Sequence, residues 1–237
     1  MSSALLILTG ARVWTMKDGT PHPTGFWARE FIEAYQVFTE AGFEVAIATP
    51  GGVPAKPDEL GFALAYNDDD ADAVAAQKKF LVDLQDRLAA PDDLNLVRPG
   101  AYDVVFVVGG HGPMQDLAVN PAIGAILAAN LDDPNKIVGA VCHGPASFLS
   151  AARADGTWIF KGRRLTCFTN EEETMATFSG NSPWLLEDRL RLAGALYEKG
   201  PAYQEYVVVD GNLVTGQQNV SSGAAARAIL EQMKVSA

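Results

Sequence analysis

Lys136-Ile137-Val138-Gly139-Ala140-Val141-Cys142-His143-Gly144-Pro145 reads as a buried strand that breaks into a sharp turn and then a helix. The run from Ile137 to Val141 is apolar without alternation, as in strands covered on both faces, and Pro145 has the fixed φ that suits a first helical turn. Asp103-Val104-Val105-Phe106-Val107-Val108 repeats the layout, running into Gly109-Gly110-His111-Gly112-Pro113. Ala4 to Thr9 and Glu44 to Thr49 are two further runs of the same kind. Such runs, separated by stretches with helical spacing, specify an α/β fold on a largely parallel sheet.

Outward from these strands, Phe26, Phe31, Ile32, Tyr35 and Phe38 predict a helix over Phe26–Ala41, stopped by Gly42. Val74, Phe80, Leu81, Leu84 and Leu88 predict another over Asp72–Leu88, behind the acidic Asp68-Asp69-Asp70. Helices follow from Pro121 to about Leu131 and from Pro145 to about Ala152. Trp158–Cys167 reads as extended around a turn at Lys161-Gly162, and Trp184–Tyr197 as a helix. Tyr206–Thr215 reads as a hairpin turning at Asp210-Gly211, and Asn219–Met233 as a closing helix. With no linker or repeat, the expectation is one domain over 1–237. It would be a three-layer α/β/α sandwich with a mostly parallel central sheet, flavodoxin-like, with small β-hairpin additions.

The chain has 237 residues, 48% of them hydrophobic and 20% charged, which excludes disordered and low-complexity classes. A net charge of −11 opposes nucleic acid and anionic membranes, so neither is an expected partner. Ala4 to Leu8 is too short for a membrane span and has no basic residue before it, so the expected location is the cytoplasm. In that reducing compartment Cys142 and Cys167 are expected to be free thiols.

In open α/β sheets the ligand crevice lies beyond the carboxyl ends of the strands. Of the two strand ends carrying a histidine, only the one at Cys142 carries a nucleophile. Its layout is that of a nucleophile elbow by analogy of shape, since the spacing is not Gly-x-Ser-x-Gly. A thiol at a helix start should be held as a thiolate near neutral pH. Backbone N–H groups of His143 and of the Gly109-Gly110-His111-Gly112 turn, Gly110 among them, would converge as an oxyanion hole beside a substrate pocket at Gly109 and His111. The plainer readings are a small buried hydrophobe at Cys142, a loop histidine at His143, and a turn that needs only the backbone of His111. Cys167, inside the strand pattern Leu165-Thr166-Cys167-Phe168, reads as structural. The glycine turn lacks both phosphate-binding spacings, and the three histidines show no zinc spacing, so no cofactor and no metal are expected.

Gly109-Gly110-His111-Gly112-Pro113, Ala140-Val141-Cys142-His143-Gly144-Pro145 and Thr24-Gly25-Phe26-Trp27-Ala28-Arg29-Glu30 together resemble the ThiJ/PfpI superfamily, whose fold is that of class I glutamine amidotransferase domains. The long insertion between the second and third strands, and the pairing of Thr24-Gly25 with Glu30, are similar to its glyoxalase III and heat-shock chaperone branch. The resemblance implies that Glu30 sits beside Cys142, although the helix pattern alone would leave Glu30 at the surface. It also implies that a carboxylate downstream of the cysteine orients His143. The family's Phe-Thr-Asp pattern brings Glu173 to that place, whereas Glu171-Glu172-Glu173 by itself reads equally as a solvated helix start.

The resemblance therefore implies a lyase, a glutathione-independent glyoxalase III that converts methylglyoxal and related 2-oxoaldehydes to D-lactate or its homologues. Cys142, His143, Glu30 and Glu173 would be catalytic, and the protein would be a homodimer. A redox-sensing or holding chaperone, and a cysteine amidase or peptidase-like hydrolase, are the alternatives.

Overall fold

The computed structural model describes residues 2–153 and 155–236. Its first half contains β1 (Ser3–Ile7), β2 (Val13–Thr15), β3 (Pro21–Pro23), α1 (Ala28–Glu40), β4 (Glu44–Thr49), α2 (Ala71–Asp83), α3 (Gln85–Ala89), β5 (Asp92–Asp93) and β6 (Val104–Val107). The second half adds α4 (Gly112–Gln115), α5 (Pro121–Asp132), β7 (Ile137–Val141), β8 (Arg164–Leu165), α6 (Asn170–Met175), α7 (Leu186–Ala193), β9 (Leu196–Tyr197), β10 (Val207–Asp210), β11 (Leu213–Gly216) and α8 (Ser222–Ser236).

Seven strands form the central sheet in the order β10-β11-β7-β6-β1-β4-β5. All neighbours run parallel except β10, which pairs antiparallel with β11 at the edge. The unalternating strands are buried on both faces, as their composition requires. Leu5, Ile7, Val105, Val107 and Val138 face α5 and α7 in one core, where Ile126, Leu127 and Leu190 meet them. Ala4, Leu6, Val104, Phe106 and Val141 face α1 and α8 in the other, against Phe31, Phe38 and Ile229. Each fully buried Leu, Ile or Phe contributes about 1.5–3 kcal/mol, so these two layers hold the sheet rigid beneath the loops at its carboxyl edge.

Several elements differ from the sequence reading. The helix expected over Asp72–Leu88 breaks at Leu84, whose φ and ψ of −103° and 9° leave the helical region, so that Leu88 can turn inward and its carbonyl accept from Ala55 N–H at 2.8 Å. The helix expected over Trp184–Tyr197 stops at Ala193, where Gly194 takes a left-handed φ of 104°. Its last two residues instead form β9. β9 pairs in parallel with β8, the only strand in the expected extended stretch Trp158–Cys167. The segment after Cys142 is a 3₁₀ helix, Gly144–Ser150, and α8 is preceded by a 3₁₀ turn at Asn219–Ser221. The β2–β3 hairpin is absent from the sequence reading, because strands of three residues carry no period to read and β3 is bounded by prolines.

Candidate active site

β1 lies mid-sheet, and the chain leaves it first toward β4 and β5, then returns through β6 and β7 on the other side. The crevice at this reversal of strand order receives the ends of β1, β6 and β7. Cys142 follows β7 with a φ of 59°, a conformation that costs about 1–2 kcal/mol for a residue with a side chain. Its N–H donates to Gly216 of β11 at 3.1 Å, and its carbonyl accepts from Phe168 N–H at 2.9 Å, so the sheet holds the elbow in place.

Backbone N–H groups of Gly110 and His143 donate toward the Cys142 sulfur, the two that the sequence reading assigned to an oxyanion hole. Gly109 must lack a side chain: a Cβ there would lie 2.7 Å from Cys142 Cβ and 2.8 Å from Glu30 Oε2. Gly110, with φ at 90°, presses against the Gly25 carbonyl. Trp27 N–H donates to Gly109 O at 3.1 Å, which locks the start of α1 onto the glycine turn.

The Cys142 sulfur is 3.3 Å from His143 Nδ1, and His143 Nε2 is 2.6 Å from Glu173 Oε1. α6 begins with a capping box in which Thr169 Oγ1 accepts from Glu172 N–H at 3.0 Å and Thr169 N–H donates to Glu172 Oε2 at 2.9 Å. Its first turn sorts the three glutamates. Glu171 is exposed and meets Lys199 at 3.2 Å, buried Glu172 accepts from Tyr203 N–H and Gln217 Nε2, and Glu173 faces the histidines. Burial alone would raise Glu173, but His143 and His111 outweigh it and hold the carboxyl far below its usual range. Burial and the neighbouring His111 lower His143. An ionised Glu173 against Nε2 puts the proton of a neutral His143 there, leaving the Nδ1 lone pair for the thiol. His111 reaches the other Glu173 oxygen at 3.4 Å and stacks on Trp14 at 4.7 Å.

Glu30 is fully buried, contrary to the surface position its helix pattern suggests, because the first turn of α1 lies over the carboxyl edge of the sheet. Its Oε2 accepts from Gly109 N–H at 2.7 Å, while Oε1 has no hydrogen-bond partner. Burial raises its pKa to about 8, against the lowering effect of the Gly109 and Cys142 hydrogen bonds. The expected thiolate is corrected here. Burial, and then the Glu30 carboxyl, push the Cys142 thiol well above its ordinary value, and the Gly110 and His143 N–H groups only partly offset this. The short 3₁₀ helix after Cys142 supplies too little dipole to compensate for the burial of a residue that is 5% exposed. At neutral pH the site rests as a thiol beside a protonated carboxyl.

Cys142, His143, Glu30, His111 and Gly110 line one small cavity. Gly109, expected in the substrate pocket, does not line the cavity but packs against Cys142 and Glu30, and Glu173 touches the lining residues His143 and His111. Sequence reasoning missed the aromatic wall of Trp27, Tyr66, Phe178 and Tyr203. Trp27 lay within a recognised motif, whereas Tyr66 and Tyr203 come from distant loops with no local signal. Cys167 is buried away from the cavity, its thiol donating to Phe168 O at 3.2 Å. Among the described residues, His111, His143 and Glu173 could offer a metal three donor atoms within 4.8 Å, but those atoms are already directed at one another. No described helix is long and apolar enough to cross a membrane.

The profile of the DJ-1/PfpI family matches residues 23–232. A probable glutathione-independent glyoxalase of Schizosaccharomyces pombe is 29% identical over 90% of this chain and 91% of its own. Glyoxalase 3 of Candida albicans is 27% identical over 91% and 92%. The X-ray structure of the Rapid Encystment Protein of Francisella tularensis superposes with a TM-score of 0.86 at 27% identity, covering 98% of this chain and 99% of that one.

Proposed function

The chain belongs to the DJ-1/PfpI family, and from that premise we propose that it is a glutathione-independent glyoxalase, a lyase that converts methylglyoxal and related 2-oxoaldehydes to 2-hydroxy acids. The observation that carries the reading is the buried Glu30 carboxyl, pushed up to about 8, with one oxygen unpartnered beside a nucleophilic thiol. A carboxyl in that state can give a proton and take one back, which an internal oxidation and reduction between adjacent carbons requires.

In the proposed cycle His143 Nδ1 takes the thiol proton while ionised Glu173 stabilises the imidazolium. The sulfur adds to the aldehyde carbon, and Glu30 protonates the aldehyde oxygen as backbone N–H groups of Gly110 and His143 steady its charge. The product is a hemithioacetal. Glu30, now a carboxylate, removes the hydrogen on that carbon, giving an enediol, and returns it to the neighbouring carbon. His143 moves the hydroxyl proton from the first oxygen to the second. Water then attacks the thioester carbonyl as Glu30 takes one of its protons, the departing sulfur takes the proton held by His143, and the thiol, the neutral imidazole and the protonated carboxyl are restored, so the sum is one methylglyoxal and one water to one lactic acid.

An amidase reading uses the same Cys142–His143–Glu173 arrangement but leaves Glu30 without a task. The reading further takes residues 1–237 as one domain acting as a homodimer in the cytoplasm. Light scattering on the purified protein tests the assembly. The activity is tested by product analysis with methylglyoxal and no glutathione: the parent should form lactate, and Cys142→Ala and Glu30→Gln should not. Lactate at the parent rate from Cys142→Ala would end the reading.

A further inference from the structure

Two residues that line the cavity each carry a buried polar atom without a protein hydrogen-bond partner, Glu30 Oε1 and Trp27 Nε1. The mechanism uses the first and gives the second no role. Trp27 is the N-cap of α1 and Glu30 lies in its first turn, and both residues line the cavity. The indole is held firmly. Its backbone N–H is tied to Gly109 O at 3.1 Å, the Tyr66 ring stands perpendicular to it at 5.3 Å, and Gly61 lies over the indole, where a Cβ would be in ordinary contact with the ring at 3.4 Å. A rigid, desolvated donor beside the acid that handles the reacting oxygens is a recognition element in want of an acceptor.

We propose that the Trp27 indole N–H donates to the second carbonyl oxygen of the bound 2-oxoaldehyde, making Trp27 the residue that distinguishes vicinal dicarbonyls from simple aldehydes. The inference rests on the glyoxalase reading and deepens it. A simple aldehyde has one oxygen, which the Gly110 and His143 N–H groups and Glu30 can serve. A 2-oxoaldehyde brings another on the adjacent carbon, and a ligand without it leaves the indole N–H buried and unpaired. When the hydrogen leaves the first carbon, negative charge develops on that second oxygen, so the donor acts more strongly in the transition state than on the bound substrate. The tryptophan exchanges no proton.

Trp27→Phe keeps an aromatic ring and removes the donor. It should lower kcat/KM for methylglyoxal by about 10- to 100-fold, mostly in kcat, while the inhibition constant of propanal, which has no second oxygen, changes less than about twofold. In the unaltered protein the Trp27 indole N–H resonance, assigned through its contacts to Tyr66, should shift downfield on saturation with hydroxyacetone, a readout that requires neither turnover nor a folded variant. Unchanged kcat/KM, a parallel loss of propanal binding, or an indole signal that stays fixed while other cavity resonances move would overturn the proposal. Failure of the parent to make lactate removes the glyoxalase reading, whereas a fixed indole signal in an active parent removes only the role of Trp27.

Discussion

Glu30 concentrates the conflict between stability and chemistry in one side chain. Its pKa is about 8 in the fold against 4.5 for a free carboxyl, so the folded state holds a proton that the unfolded chain releases across that interval. Stability therefore falls as pH rises from about 4.5 toward 8, and the full penalty applies above that. Glu30→Gln removes the ionisable group and keeps an acceptor for Gly109 N–H. At about 1.4 kcal/mol per pKa unit the relief is on the order of a few kcal/mol. Thermal melts at pH 8 should show Glu30→Gln about 5–10 °C above the parent, with the gap closing toward pH 4.5, while the variant is inactive. Glu173 has the opposite sign: its lowered pKa stabilises the fold above the free carboxyl's value, and that contribution is lost as pH falls. Glu173→Gln should cut kcat by about 100- to 10,000-fold with little change in KM, because His143 loses the carboxylate that fixes its tautomer. Cys142 and His143 were legible because strand, nucleophile and turn lie in ten consecutive residues. The ionisation of the thiol was not, because it depends on how deep the sheet edge lies and on a carboxyl 112 positions away.

Among the elements, α6 carries the histidine's partner and depends on its cap. Thr169 closes both halves of the box, and Glu172 within it also anchors the Tyr203 loop over the cavity. Thr169→Ala should cost about 1 kcal/mol, read as a Tm about 2–4 °C lower, and should reduce turnover and slow the alkylation of Cys142 together, because both need Glu173 held against His143. The acidic triplet announced a helix start, and it is one. That this start also reaches the active site follows from where Phe168-Thr169 emerges beside Cys142, with Phe168 N–H bonded to the Cys142 carbonyl. Composition cannot supply that contact, and the family resemblance pointed to it only by position. The central strands were legible to within one or two residues because burial on both faces removes alternation. β8 and β9 were not, since two-residue strands have no period.

For the molecule as a whole, the two cores make the sheet a fixed platform, and the reversal of strand order between β1 and β6 brings Glu30, Gly110 and Cys142 together from three separate stretches. The same enclosure withdraws the thiol and the carboxyl from water and raises both. The central claim is that the free enzyme works with Glu30 protonated and Cys142 as a thiol, instead of with a preformed thiolate. The pH dependence of kcat/KM for lactate formation from methylglyoxal reads this directly. Activity should fall as pH rises through about 8, as Glu30 loses its proton. A rate that climbs through the same interval, following ionisation of the thiol, would contradict the account.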